Sequence, residues 1–236
     1  LDLLLVEKGL ADSRAKAQAL IMAGRVLVDG RPAEKPAALV DPAAPLQVTA
    51  SLPFVSRGGL KLAHALDQLH LPVEGLVALD VGASTGGFTD CLLQRGAVRV
   101  YALDVGYGQL DYRLRQDPRV VVMERVNAHY PFDLPETVGL CTLDVSFISL
   151  TKVIPNTLRW VKPGGHILAL VKPQFEAQRG KAKRGVVKDP LIHAEILGGV
   201  ILWAVNQGLR LRGLVPSPIL GPAGNREFFV LLEKEG

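Results

Sequence analysis

The segment Asp80-Val81-Gly82-Ala83-Ser84-Thr85-Gly86-Gly87-Phe88 joins an apolar run to a helix-forming stretch. Glycine lets the backbone turn tightly and approach a ligand with no Cβ in between. The start of a helix also offers N–H groups that lack partners within the helix, which suits a carboxylate or another polar group. Asp104 closes the next apolar run, at the spacing of an acid that binds a ribose. Asn127 follows the third run, where it can meet an adenosine. These residues describe a nucleotide-type site. The dinucleotide fingerprint Gly-x-Gly-x-x-Gly is a poor match, because the small residues here are Gly82, Ser84, Gly86 and Gly87.

Four charged residues stand where such a scaffold does its chemistry. Asp144 and Lys172 sit at or just past the carboxyl ends of apolar runs, which form the ligand crevice of an open parallel sheet. Lys61 starts a helix after the hinge-like Ser56-Arg57-Gly58-Gly59, and Glu227 precedes a late strand. Each of them alone reads more readily as a surface charge or a local salt bridge. Ser146, Asp111 and Tyr112 are possible neighbours of the crevice, and Phe88 reads as core or contact. The histidines at 64, 70, 129, 166 and 193 are scattered, with no ligand spacing and no Ser-His-acid grouping.

The elements that must position these residues follow a βαβ rhythm. Apolar runs at Val77–Val81, Val98–Leu103, Val120–Met123, Leu140–Leu143 and His166–Val171 read as buried parallel strands with helices on both faces. Pro190 to Asn206 reads as a helix with proline in its first turn. Phe228 to Leu232 is a late strand suited to antiparallel pairing with Leu209 to Leu214.

A small module precedes this domain. Leu3 to Val6 stop at Gly9, Ser13 caps a second helix with Ala17, Leu20 and Ile21 on its apolar face, and Gly24 ends it. Val26-Leu27-Val28 then runs into an Asp29-Gly30 turn, and Leu46-Gln47-Val48 is a last short strand. Arg14, Lys16 and Arg25 lie around the second helix, where basic side chains can contact phosphates. The expected division is 1–48 for the module, 49–57 for a linker containing Arg57, and 58–236 for the large domain. A further run of cations, Arg179, Lys181, Lys183 and Arg184, forms a basic Gly-containing loop after Lys172.

The pattern Gly9-Leu10-Ala11-Asp12-Ser13-Arg14 through Val28-Asp29-Gly30 and Lys35 resembles the RNA-binding domain of the ribosomal protein S-four family. Asp80-Val81-Gly82 through Phe88-Thr89 resembles the first motif of class I methyltransferases, in the form seen in heat-shock ribose methyltransferases. Four blocks extend the likeness: Ser56 to Leu62, Leu143 to Leu150, Val171 to Glu176 and Gly224 to Phe229. Taken whole, the chain resembles the TlyA family. That resemblance implies a Rossmann-like, seven-stranded and mostly parallel sheet with a small amino-terminal α+β domain. It implies S-adenosylmethionine as cofactor, held by Asp80, Gly82, Ala83, Ser84, Thr85, Gly86, Gly87, Phe88, Asp104, Asn127 and Asp144. It implies transfer to a ribose 2′-hydroxyl of ribosomal RNA, usually a cytidine, with Lys61, Asp144, Lys172 and Glu227 around the target. Lys172 is then the candidate general base. It would need its pKa lowered by burial and by a neighbouring cation such as Lys61, while Asp144 and Glu227 would oppose that shift.

Composition sets the limits. The 236 residues are 48% hydrophobic and 21% charged, in keeping with an ordered protein, and the net charge of +4 permits a nucleic-acid partner. Cys91 and Cys141 have no metal-ligand spacing, so no zinc site or disulfide framework is expected and a cytoplasmic location is the default. No apolar run reaches the ~20 residues of a membrane helix, and the opening residues do not read as a signal peptide. The chain starts at Leu1 without a Met, so removal of preceding residues is expected. Two alternatives compete: an RNA-binding or hemolysin-like protein without this activity, and a methyltransferase with another acceptor.

Overall fold

The computed structural model describes residues 1–22, 24–33, 35–49, 53–177, 185–221 and 224–235. The chain divides into two units, Leu1–Gly58 and Gly59–Gly236.

In the first unit, helices α1 (Asp2–Glu7) and α2 (Arg14–Met22) pack together beside a sheet of β1 (Val26–Val28), β2 (Arg31–Pro32) and β3 (Leu46–Val48), ordered β2-β1-β3 and antiparallel. The Ser13 hydroxyl accepts the Lys16 N–H at 3.2 Å, the expected cap of α2. Asp29 and Gly30 both take positive φ, which a tight hairpin turn requires. Leu5, Ala17, Ile21 and Val26 are fully or almost fully buried and form the centre of a small core. Asp2 accepts bonds from the Arg14 guanidinium and the Gln18 amide, which together hold its carboxyl down to about 2.

The second unit contains α3 (Arg57–Gln68, entering from the first unit), β4 (Val77–Val81), α4 (Gly87–Gln94), β5 (Arg99–Asp104), α5 (Tyr112–Gln116), β6 (Val120–Glu124) and β7 (Val138–Leu143). It continues with α6 (Leu150–Leu158), β8 (Val161–Val171), α7 (Pro173–Glu176), α8 (Pro190–Asn206), β9 (Leu209–Pro216) and β10 (Phe228–Lys234). The seven strands follow the order β6-β5-β4-β7-β8-β10-β9. The first five are parallel, and β10 runs antiparallel between β8 and β9. This is the Rossmann-like, seven-stranded and mostly parallel sheet that the resemblance implied.

Two details differ from the sequence expectation. The hinge at Arg57-Gly58-Gly59 already belongs to α3, and Gly59 is buried; glycine weakens helix interiors, but a first turn tolerates it and gains close packing. Strand β8 begins at Val161 rather than near His166, with an irregular register where Gly164 takes positive φ.

Order reverses between β4 and β7, and their carboxyl ends therefore border the crevice of the sheet. Asp80, on β4, is fully buried beneath it and accepts the hydroxyls of Thr89 at 2.7 Å and Thr142 at 3.0 Å. It thereby ties β4 to α4 and β7. Burial pushes its carboxyl up to about 7, against the two hydroxyl bonds. The folded state thus binds a proton that the unfolded chain releases near its ordinary pKa of about 4, so this group's contribution is fully present below that pH and is lost as pH rises to about 7. The isosteric Asp80→Asn is expected to remove this part of the slope. Melting temperatures of both proteins between about pH 5 and 8 check it, and parallel curves would refute it.

Candidate active site

The glycine loop runs from the end of β4 into α4. Gly82 has φ +85°, and a Cβ there would stand 2.5 Å from the carbonyl oxygen of Asp144. Gly86 has φ +96° and lies against Leu114 and Leu110, so a side chain there would push into the core. Ser84 takes φ +49°, a conformation uncommon outside glycine. The N-cap of α4, Gly86, has no side chain to offer its first N–H groups, and one of these, that of Thr89, is taken by the buried Asp80.

Beside the loop opens a cavity of about 550 Å³, within the range of small-molecule sites. Gly82, Ser84, Asp104, Asn127 and Asp144 all line it. Asp104 is pinned by two backbone bonds, accepting the Ser84 N–H at 2.8 Å and the Gly106 N–H at 2.7 Å. Asn127 accepts the His129 N–H at 3.0 Å, fixing its amide. The other loop residues singled out from sequence lie outside the lining. Asp80 is sealed beneath it, Phe88 packs against Phe229 with ring centroids 6.0 Å apart, and Ala83, Gly86 and Gly87 are buried supports. Thr85 is exposed, and its carbonyl receives the N–H of Asp111, which caps α5.

Lys172 and Asp144 meet just past the carboxyl ends of β8 and β7, with Asp144 in the cavity lining and Lys172 behind it. Lys172 Nζ stands 2.6 Å from Asp144 Oδ1, an ion pair rather than an aligned hydrogen bond, and donates to Ser146 Oγ at 2.9 Å. The second pair is Lys61–Glu227, with Nζ to Oε2 at 2.6 Å and only 9% and 1% of the residues exposed. Strand register explains how it arrives there. Phe228 pairs with Val171, so Glu227 is the residue across from Lys172 as the ladder ends. Each lysine thus has a carboxylate of its own.

Downstream, Glu176 accepts the Leu150 N–H at 2.8 Å and the Ser149 hydroxyl at 2.6 Å, clipping α7 to the start of α6 and steadying the segment that follows Lys172. Burial raises its carboxyl above the ordinary range. Several cavity residues were not anticipated, among them Val105, Gln109, His129 and Phe147. Phe147 is 90% exposed at φ +63°, with its ring 4.9 Å from that of Phe175. A positive φ on a bulky residue is a strained position that sequence does not announce.

The FtsJ-like methyltransferase family profile matches residues 54–234, and the S4 domain profile matches residues 1–44. Across 239 residues the chain is 46% identical to the "16S/23S rRNA (cytidine-2'-O)-methyltransferase TlyA" of Mycobacterium tuberculosis, covering 99% of this chain and 89% of the relative. The chain belongs to the TlyA family of FtsJ-like methyltransferases. A relative from Brachyspira hyodysenteriae, named "Hemolysin A", is 40% identical, the match covering 97% of each chain. A solved structure of a candidate hemolysin from Streptococcus thermophilus superposes with a TM-score of 0.79 at 44% identity, covering 99% of this chain and 87% of that one. More distant folds agree: an N-methyltransferase from Bradyrhizobium japonicum in complex with S-adenosylhomocysteine gives a TM-score of 0.54 at 14% identity. As a TlyA member the chain is an S-adenosylmethionine-dependent methyltransferase with an S4-type RNA-binding domain.

Within that S4-type unit the predicted RNA-facing cations are engaged locally. Arg14 bonds Asp2 at 2.8 Å, Lys16 bonds Asp12 at 2.8 Å, and Arg25 donates to the Thr49 carbonyl at 3.1 Å. Arg14 and Lys16 still expose most of their side chains. Arg57 is half-buried at the start of α3. Arg179, Lys181, Lys183 and Arg184 lie outside the described residues. Among the described residues no helix is long and apolar enough to cross a membrane, and no cluster of His, Cys, Asp and Glu could hold a metal ion.

At Gly82 the loop comes so close to the Asp144 carbonyl that no Cβ fits, and the cavity it shapes is of a size for the methyl donor. Gly82→Ala is expected to weaken S-adenosylhomocysteine binding by about tenfold or more, since each tenfold is about 1.4 kcal/mol and the new Cβ must displace backbone. Isothermal titration measures this, with circular dichroism to establish folding. An affinity equal to wild type would show that the loop plays no part in donor binding.

Proposed function

We propose that the chain transfers a methyl group from S-adenosylmethionine to a ribose 2′-hydroxyl of ribosomal RNA, with a cytidine as target. The observation that carries this reading is the double placement of Asp144: it lines the donor cavity and also pairs with Lys172. Donor and proton acceptor therefore converge at one residue. The donor, when bound, supplies an electrophilic methyl on a sulfonium. The ribose oxygen forms the new bond to that carbon as the carbon–sulfur bond breaks, and the electron pair stays on sulfur. A neutral hydroxyl is a poor nucleophile, and its proton must leave as it attacks. Lys172 takes that proton as the neutral amine. Asp144 orients the amine, and Ser146 fixes its reach at 2.9 Å. Lys61 and Glu227 hold the neighbouring wall. Phe147 offers an exposed ring at the cavity edge against which the target base can stack. Holding donor and hydroxyl together supplies much of the rate.

Ribosomal RNA as the substrate is supported by the S4-type domain and by the named activity of the Mycobacterium tuberculosis relative. Arg14, Lys16, Arg25 and Arg57, with the cations at 179, 181, 183 and 184, would contact phosphates, and such a substrate puts the work in the cytoplasm. The test is incubation with labelled donor and isolated small and large ribosomal subunits, followed by mapping of the labelled nucleotide. A 2′-O-methyl group makes the adjacent phosphodiester resistant to alkali. Label on a base, or none on either RNA, would refute the proposal.

A further inference from the structure

Beside Glu227 lies an attachment that the reaction just described leaves unused. Asn225 is almost wholly buried. Its Oδ1 accepts the Val187 N–H at 3.0 Å, and its Nδ2 donates to the Gly185 carbonyl at 3.0 Å. The far side of Val187 is held as well, with its carbonyl oxygen 2.9 Å from Nε2 of His193, a buried residue of α8. With the proton on Nε2, the histidine is the donor. The His193 ring meets Phe228 edge-on at 5.4 Å. Both backbone polar groups of one buried residue are thus taken by side chains from two separate elements. A mere connection into α8 would run over the surface and leave such groups to water.

The attachment leads straight to the ion pair. Asn225 precedes Glu227 by two residues, and its own carbonyl accepts the Gly221 N–H at 2.8 Å. The Glu227 carbonyl accepts the Ser217 N–H at 2.8 Å. Glu227 Oε1 is buried against Gly221, where a Cβ would collide with it, and finds no hydrogen-bond donor among the described residues. The carboxylate therefore depends on its backbone surroundings, and on Lys61 at Oε2, for its position. Phe228 then enters the ladder opposite Val171, one residue from Lys172.

We propose that Asn225 and His193 are positioning residues for methyl transfer: by clamping Gly185 to Val187 between them, they set Glu227, and through it Lys61, against Lys172. This rests on the function proposed above. A purely structural tether would lower stability, donor affinity and turnover together. A positioning clamp acts on turnover and leaves the glycine loop, which follows β4 with β7 and β8 between it and β10, undisturbed.

The full chain is assayed with labelled donor and ribosomal RNA, alongside donor titration and melting. Asn225→Ala is expected to lower kcat about tenfold or more with donor affinity within about twofold of wild type. Asn225→Asp, which keeps the acceptor for Val187 but loses the donor to Gly185, falls in between and serves if the alanine variant does not fold. His193→Ala shows a smaller loss of kcat, and His193→Gln, whose amide can still donate, recovers it. Wild-type kcat in Asn225→Ala, parallel loss of kcat and donor affinity, or a His193→Gln no better than His193→Ala would each overturn the clamp. If the wild-type chain methylates neither ribosomal RNA, the functional reading falls by itself. Hydrogen exchange then decides the clamp: faster exchange around Lys61 in Asn225→Asp supports it, and unchanged exchange there overturns it.

Discussion

Lys172→Ala is expected to slow single-turnover methyl transfer by about a thousandfold, the middle of the range for removing a general base. Donor affinity stays within about twofold, because a group needed only as the proton leaves adds nothing to ground-state binding. The cavity supports the second half of that expectation. In the proposed function its donor-side contacts would come from Gly82, Ser84, Asp104 and Asn127, which line it, and the Asp104 anchors to Ser84 and Gly106 do not involve Lys172. The same substitution also removes a positive charge facing Asp144, so loss of rate alone would not separate proton transfer from electrostatics. Lys172→Arg separates them. Arginine keeps the charge toward Asp144 but does not deprotonate in proteins. A slow Lys172→Arg assigns the proton to Lys172; a variant with most of the wild-type rate would make Lys172 an electrostatic support and leave the base elsewhere. Rates with labelled donor and ribosomal RNA, with titration of S-adenosylhomocysteine in parallel, give the answer.

Most of the parallel strands were legible because they are apolar runs buried on both faces; β6 is as apolar but stands at the sheet edge and is only partly buried, which its residue types do not announce. The late hairpin was legible from Phe228 to Leu232 for the same reason, but its place was not. Burial on both faces looks the same at an edge and within a sheet, so nothing local says that β10 lies between β8 and β9. That placement is what brings Glu227 opposite Lys172, a position set by register over a long sequence separation. At the donor site, the glycines and Asp104 announce themselves by type and spacing. Asp80 stands in the same motif yet faces inward, because alternation along β4 turns its carboxylate toward Thr89 and Thr142. The pairing of Lys61 with Glu227, and of Lys172 with Asp144, was also beyond reach of sequence. Four charges admit several pairings, and only packing selects one. Phe147 stayed hidden because positive φ on a large side chain has no signature in residue type.

The second large effect is on stability. Glu227→Ala leaves the Lys61 ammonium in a nearly closed site without its carboxylate, and removing one partner of a buried ion pair costs about 3–5 kcal/mol. In a domain of this size each kcal/mol lowers Tm by about 2–4 °C, so a fall of about 6–20 °C is expected. The loss comes from the stranded charge, not from any large net worth of the pair, because taking both ions out of water already offsets most of their attraction. A second variant exposes the difference. Replacing both residues with apolar side chains of similar length, Lys61→Met with Glu227→Met, removes the stranded charge and should recover most of the lost Tm. Methyl transfer should stay impaired in that double variant, since the wall beside Lys172 has lost its charges. Thermal melts of the two proteins, with transfer rates measured below the lower Tm, read both effects. A double variant as unstable as Glu227→Ala would mean that the pair contributes net stability. A double variant with wild-type turnover would remove Lys61 and Glu227 from the chemistry and leave Lys172 and Asp144 to carry it.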